Sequence, residues 1–506
     1  MLLSGSAALF SLIGVTVLAF RGLAGFDDAR FDLTLVSDSY TLRILRFSLW
    51  QALLSTTLSL LIAWPLARWL YRLQPKGLNL FQQLCLLAFV MPTLVVITSI
   101  MLLFGPQGIV RPLLPADWKL FGLSGILIAH VYLNFPLATR ILLQRYQAMP
   151  DSVERLSAQL KLSPIQRFVV LEWPQIRPAL LAIAGLIFIL CFNSFAVVLA
   201  LGGGPASTTF ELAIYQALKY QFNLSEALTL AWMQFAIAGA LFALTALFAK
   251  VDWLGSPRMT KRWQPRGTLS GRVLRWSAYL FGWLLLLAPL LALTSSLDLS
   301  KLLSINLIEL ADALLRSLAI GLGATLVALL LCLLILPLQR NPLLAWLSTH
   351  HLVAPAMVLS TGVYIWLLSL GSLGQWSFVW LILLNALLVL PFLITQLRPM
   401  AINYQQQYHR LISNLNLGPL ERARIYLSYL QSALISAFAL GLLLALGDVS
   451  VFALFGSYDE PTLPWLIYRY AGSYRLEEAA IAASLLLLVS VALLLLLERN
   501  RRTHAR

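Results

Sequence analysis

Apolar runs separated by short polar gaps organise this chain from end to end. Runs such as LWQALLSTTLSLLIAWPLA (49–67) and SLLLLVSVALLLLL (484–497) reach or approach the roughly 20 residues an α-helix needs to cross about 30 Å of hydrocarbon. Read along its length, the pattern predicts spans near 4–20, 48–67, 83–104, 121–142, 179–201 and 228–249, then 276–295, 314–337, 351–369, 377–396, 433–455 and 480–497. Runs of this length and uniformity predict an all-α integral membrane protein of about twelve helices, not a barrel. The first run, MLLSGSAALFSLIGVTVLAFRG, lacks a basic leader and a small-x-small cleavage site, so it reads as a span and not a signal peptide.

Charge sorts the gaps into two sides. Those after spans 2, 4, 6, 8, 10 and 12 carry Arg or Lys, whereas the gap after span 1 holds Asp27, Asp28, Asp32 and Asp38. The positive-inside bias then predicts that both termini are cytoplasmic. The composition, 60% hydrophobic and 11% charged, falls far from the roughly 25% charge of soluble domains. A net charge of +15 would suggest nucleic acid in a soluble protein. Here the cations sit in gaps such as 250–275 and 498–506, so a membrane surface explains them and nucleic acid does not. Cys85, Cys191 and Cys332 lie far apart within apolar runs, which predicts neither a disulfide framework nor a metal site.

The two halves repeat. HVYLNFPLATRIL from His130 and NALLVLPFLITQL from Asn385 place Pro136 and Pro391 in register at 255 residues. IYQALKYQFNLSEA from Ile214 and IYRYAGSYRLEEA from Ile467 are 253 apart, and Gly202 and Gly456, which close spans 5 and 11, are 254 apart. A duplicated six-span unit follows, 1–255 and 276–506, joined by a basic cytoplasmic linker at 256–275. Because six is even the copies share one orientation, which predicts a pseudo-twofold axis along the membrane normal and a pathway between the halves.

After the fourth span of each copy lies an amphipathic piece, about 150–175 and about 403–429. In the first, Asp151 and Glu154 form a capping-box variant, Leu156 and Leu160 stack at i, i+4, and the helix should stop near Pro164. In the second, Asn403 and Gln406 are placed to cap, and Leu411 pairs with Leu415. Each piece is either an interfacial helix in the headgroups or a docking helix for a cytoplasmic partner.

RLSAQLKLSPIQRFVVLEWP (155–174) resembles the loop of bacterial ABC importer permeases, whose pattern is EAA, three residues, Gly, nine residues, then I-x-LP. With Lys161 in the glycine position, Leu171 and Pro174 fall where that Ile and Pro belong, while Arg155, Leu156, Ser157 and Trp173 depart from the pattern. In the second copy Asn416 takes the glycine position, and no proline lies near Tyr429. WQALLS (50–55), GILIAHVYLNFPLATRILLQ (125–144), EWPQIRP (172–178), LALGGGPASTTFELAIYQAL (199–218) and ALGDVSVFALFG (445–456) resemble the thiamine and thiamine-pyrophosphate importer permeases of Gram-negative bacteria. Iron(III) importer permeases share the duplicated plan and match less closely. The resemblance implies a multi-pass inner-membrane permease that pairs with two copies of a cytoplasmic ATPase and receives thiamine from a periplasmic binding protein. It also implies docking loops seated on the ATPase.

No G-x-x-x-x-G-K-[ST] phosphate loop occurs, so this chain is no ATPase and binds no cofactor of its own; ATP and magnesium fall to a partner. His350 and His351 are adjacent and point to different sides of a helix, which argues against a shared metal. Gly202–Gly204 before Pro205 reads as a helix terminus and not an anion site. An ion-coupled transporter with two parallel six-span repeats is the competing function. It calls for ionisable groups deep in the bundle, and Asp448 alone stands out. Asp448 either caps a helix break locally or, with Asn193 and Ser194 at the matching place in the first copy, lines the cargo's path.

Overall fold

The computed structural model describes residues 14, 16–26, 30–246, 269–297, 305–340, 355–415 and 417–503. In the first half residues 16–23 form helix α1. α2 (Ser39–Leu73), α3 (Leu78–Val90), α4 (Thr93–Phe104), α5 (Leu123–Gln147), α6 (Asp151–Gln159), α7 (Pro164–Phe192), α8 (Ala196–Leu201), α9 (Phe210–Lys219) and α10 (Leu224–Ala246) follow. The second half repeats the series with α11 (Leu269–Ser295), α12 (Leu307–Ile335), α13 (Ala356–Ser369), α14 (Leu373–Asn414), α15 (Pro419–Leu446), α16 (Ser450–Phe455), α17 (Leu463–Gly472) and α18 (Leu476–Thr503).

Among the described residues nine helices are long and apolar enough to cross a membrane: α2, α5, α7, α10, α11, α12, α14, α15 and α18. The remaining expected spans take other forms. Residues 83–104 fall in α3 and α4, which bend by 102° where Pro92, lacking an N–H, caps α4. Pro355 caps α13 in the same way. Much of the first expected span, and the start of the one at 351–369, lie outside the described residues, as do His350, His351 and the linker up to Thr268. Spans 5 and 11 end earlier than their hydropathy suggests, at Phe192 and Leu446, and short helices α8 and α16 carry the chain on to Gly202 and Gly456. Both glycines cap those helices, so the terminus reading of Gly202 holds.

Lipid inverts the soluble pattern, and α2 displays the result. Ser48, Gln51, Ser55 and Ser59 recur at helical spacing and are fully buried, whereas Trp50, Leu53 and Leu61 face outward. The Gln51 amide donates to the Cys191 carbonyl at 2.8 Å, which ties α2 to α7. Hydrocarbon offers polar groups no partner, so each must find one inside the bundle.

Contacts divide the chain into two compact units, Leu42–Thr209 with Ile237–Leu297, and Met1–Thr41 with Phe210–Ala236 and Asp298–Arg506. These units cut across the repeats. Within the first, α11 packs on α3, α4 and α5, and Tyr132 donates to the Leu286 carbonyl at 3.1 Å. Within the second, α9 packs on α13 and α16, and Trp232 donates to the Leu23 carbonyl at 2.8 Å. Matching left-handed turns at Phe222 (φ 53) and Tyr474 (φ 60) follow α9 and α17, so the duplication extends to backbone detail.

α1 reaches α13 through a glycine contact. A Cβ on Gly22 would lie 1.7 Å from the Gly362 carbonyl oxygen, and one on Gly362 2.1 Å from the Ala19 carbonyl oxygen. Both obstacles are backbone, so no side chain can swing aside. Gly362→Val is therefore expected to destabilise by about 3 kcal/mol, the upper end of ordinary overpacking, read as a lowered thermal midpoint in detergent. A wild-type midpoint would mean that α1 does not rest on α13.

Candidate functional site

The first loop is built around buried charge. α6 starts after Pro150, which gives no side-chain cap. The capping box expected from Asp151 and Glu154 does not form, because Asp151 is already helical and Glu154, 3% exposed, turns inward. Its carboxylate accepts from Arg167 and from the Tyr71 hydroxyl at 3.2 Å. Lys161 stops the helix, not Pro164. Its φ of 51° makes it the left-handed residue of a Schellman turn, with Lys161 N–H on the Ala158 carbonyl and Leu162 N–H on the Ser157 carbonyl. Glycine adopts that conformation without strain, which explains the glycine of the loop pattern. Ser163 then opens α7 with a reciprocal capping box to Gln166, with Pro164 in the first turn.

Behind the loop, Glu172 is 2% exposed and gathers three arginines. Arg68 Nε donates to it at 2.6 Å, Arg72 donates to its other oxygen, and Arg167 Nε lies 3.8 Å away. The Arg68 guanidinium covers the Phe168 ring at 5.1 Å, and Tyr71 stacks on Tyr146 at 5.4 Å. This cluster ties α6 and the start of α7 to α2. Ser157, buried, donates to the Glu154 carbonyl at 2.7 Å. Leu156, Leu160, Ile165, Val169 and Val170 are left outside, between 54% and 76% exposed, and Arg155 and Lys161 are exposed beside them. Leu171 is half-buried, and exposed Pro174 follows a π-helical turn at Phe168–Glu172, a form frequent at functional sites.

The second loop differs. A short separate helix was expected there, but α14 runs unbroken from Leu373 to Asn414, so Asn403 and Gln406 are mid-helix and cap nothing. The first copy has Pro150 where helix must stop; the second has no proline between Pro399 and Pro419. Leu411 lies in the last turn with its side chain outside the described set, Asn416 lies outside it altogether, and Leu415 is 56% exposed. No ionic cluster anchors this copy among the described residues. Instead Tyr404 and Tyr408 of α14 meet Tyr426 and Tyr429 of α15 at ring distances of 4.9 to 5.5 Å. Gly418, Pro419 and Glu421 reproduce the α7 start, with Glu421 accepting from the Gly418 N–H at 2.9 Å.

Both long fifth helices of the repeats break at matching places, Asn193–Phe195 and Gly447–Val449. Asn193 and Ser194 are half-buried in one compact unit, and Asp448, also half-buried, belongs to the other. Asp448 accepts from Ser450 N–H at 3.2 Å and Val451 N–H at 3.1 Å, so it does cap the break locally. Repeat-matched residues stand in the fourth helices: His130, whose Nδ1 meets Ser55 Oγ at 3.1 Å, and Asn385, whose amide donates to the Leu381 carbonyl. Hydropathy missed Glu211, 1% exposed and accepting from Gln234 at 3.0 Å; its charge within an apolar segment was the available clue. Among the described residues no group of three His, Cys, Asp or Glu could hold a metal.

The profile of the family described as "Binding-protein-dependent transport system inner membrane component" matches residues 55–259. The thiamine transport system permease protein ThiP of Escherichia coli K12 is 34% identical over 98% of this chain and 96% of its own length. That of Haemophilus influenzae is 36% identical over 90% and 87%. The molybdenum transport system permease protein ModB of Azotobacter vinelandii is 26% identical, with 92% of its length matching 42% of this chain. A relative that fits within less than half of this chain agrees with a duplicated unit.

Proposed function

The chain belongs to the family of thiamine transport system permease proteins, and from that premise we propose that it is the membrane subunit of an ATP-driven importer moving thiamine and its phosphate esters into the cytoplasm. The observation that carries this reading is the first loop, an apolar ridge of Leu156, Leu160 and Ile165 held out on a buried ionic anchor. An interfacial helix needs no such rigid mount. A docking helix does, because motion of a partner moves the transmembrane helices only through a stiff joint.

In this reading two ATPase copies seat on the loops at 150–175 and 403–429, a periplasmic binding protein delivers the cargo, and both termini are cytoplasmic. The chain itself holds no cofactor; ATP and magnesium act in the partner. Arg155, Leu156, Leu160, Lys161, Leu171 and Pro174, with Leu411, Leu415 and Asn416, form the docking pieces, and Ser157 stiffens the first from inside. Asn193, Ser194 and Asp448 line the path, where the Asp448 carboxylate attracts the permanent positive charge of the thiazolium ring.

The test is energetic. In proteoliposomes carrying permease, ATPase and binding protein, uptake of labelled thiamine is expected to stop on ATP depletion and to survive collapse of the proton gradient. Dependence on the gradient alone would make the chain an ion-coupled transporter instead.

A further inference from the structure

Within the unit containing α12, α14 and α16, a cavity of about 10 Å³ lies beside the break at Gly447–Val449, lined by Ser317, Asn385, Asp448 and Thr462 on its polar side. That is room for one water-sized group. Asn385 is 3% and Thr462 7% exposed, yet Asn385 Oδ1 and Thr462 Oγ1 have no hydrogen-bond partner. Buried polar atoms are nearly always paired, so two orphans on one cavity mark a ligand. Asp448 takes part in none of the ion pairs among the described residues, and a carboxylate at this depth is costly without a counter-charge. Glu211, whose Oε2 is also unpartnered, is a second buried carboxyl group in the same unit. The cavity's unmet groups thus ask for hydrogen-bond donors and positive charge.

Helices broken at matching places in two repeats are where transporters of this general build hold their cargo. Thiamine carries two water-sized donors, its hydroxyl and the exocyclic amine of its pyrimidine; only the amine brings two N–H bonds to match two acceptors, and its ring is joined through a single methylene to the cationic thiazolium. We propose that this cavity is the subsite for that amine, with Asn385 Oδ1 and Thr462 Oγ1 accepting its two N–H bonds and Asp448 facing the adjoining cation. The subsite rests on the cargo assigned above. Because no basic side chain lines the cavity, it turns phosphates away, and the phosphorylated end of a thiamine ester points out of it.

The experiment measures binding to the full-length permease in nanodiscs, without the binding protein, for thiamine and for the analogue whose pyrimidine amine is replaced by a carbonyl oxygen. A site built for a donor rejects the analogue that brings an acceptor, so the wild type is expected to bind the analogue about 10-fold or more weakly. Asn385→Leu and the nearly isosteric Thr462→Val should each collapse that preference, while Asp448→Asn should weaken both ligands alike and keep it. Thermal midpoints of the variants exclude misfolding as the cause. Equal wild-type affinity for the two ligands, with thiamine uptake intact, overturns the subsite and leaves the cavity to a buried water. Absence of both thiamine binding and thiamine uptake overturns the cargo assignment itself.

Discussion

Leu160→Asp is expected to abolish ATP-driven uptake while the protein remains in the membrane at its normal level. Leu160 is 62% exposed at the end of α6, so the substitution removes no internal contact and should not unfold the permease. In the proposed assembly, where Leu160 seats against the ATPase, the new carboxylate is desolvated without a partner, which costs several kcal/mol. A loss of about 3 kcal/mol weakens the complex on the order of 100-fold. Uptake in proteoliposomes, together with co-purification of the ATPase, reads both effects. Leu415→Asp should act in the same direction and less severely, because the second loop is an extension of α14 that keeps less of the loop pattern. Full transport by both variants would mean that these side chains merely rest in the headgroups.

Glu172→Ala strikes at the mount and leaves the ridge alone. The carboxylate is 2% exposed and gathers Arg68, Arg72 and Arg167. Removing it leaves Arg68 and Arg72 with no ion partner among the described residues and Arg167 with Glu154 alone. Breaking a fully buried pair costs about 3–5 kcal/mol. Arg68 and Arg72 retain 27% and 21% side-chain exposure, so water recovers part of that, and about 2 kcal/mol is the expected loss. A larger effect falls on coupling. The loop loosens, hydrogen exchange at 151–163 rises, and ATPase activity no longer responds to cargo although the ATPase still binds. Glu172→Gln, which keeps one acceptor, should fall between. If Glu172→Ala retains cargo-stimulated ATPase activity, the cluster is not the joint between loop and helices.

Several features were legible in the residues alone. Hydropathy placed the nine spans that stand complete among the described residues, because a helix that crosses lipid must be mostly apolar along its length and that is a local property. The spacing of Pro136 and Pro391 and of Gly202 and Gly456 exposed the duplication, which needs no coordinates. The loop pattern put Lys161 at its left-handed turn, and the exposure of Leu156 and Leu160 agrees with their i, i+4 pairing.

Only the tertiary structure decided where the polar groups go. Glu154 reads as a capping residue because capping is a local choice, yet Arg167, thirteen positions on, and Tyr71, from another helix, outcompete the helix start for its carboxylate. Glu172 stands in the sequence only as part of EWPQIRP, and three arginines make it the centre of the first loop's anchor. The second amphipathic piece continues α14 because a missing proline removes the stop and four tyrosines from two helices hold the extension. The packing of α11 on α3, α4 and α5, and of α9 on α13 and α16, joins segments far apart in sequence. Asn385, Thr462 and Asp448 likewise share one cavity though nothing local links them. In hydrocarbon a buried polar atom takes whichever partner the closed chain brings within reach, and that choice is made by packing after the spans themselves are fixed.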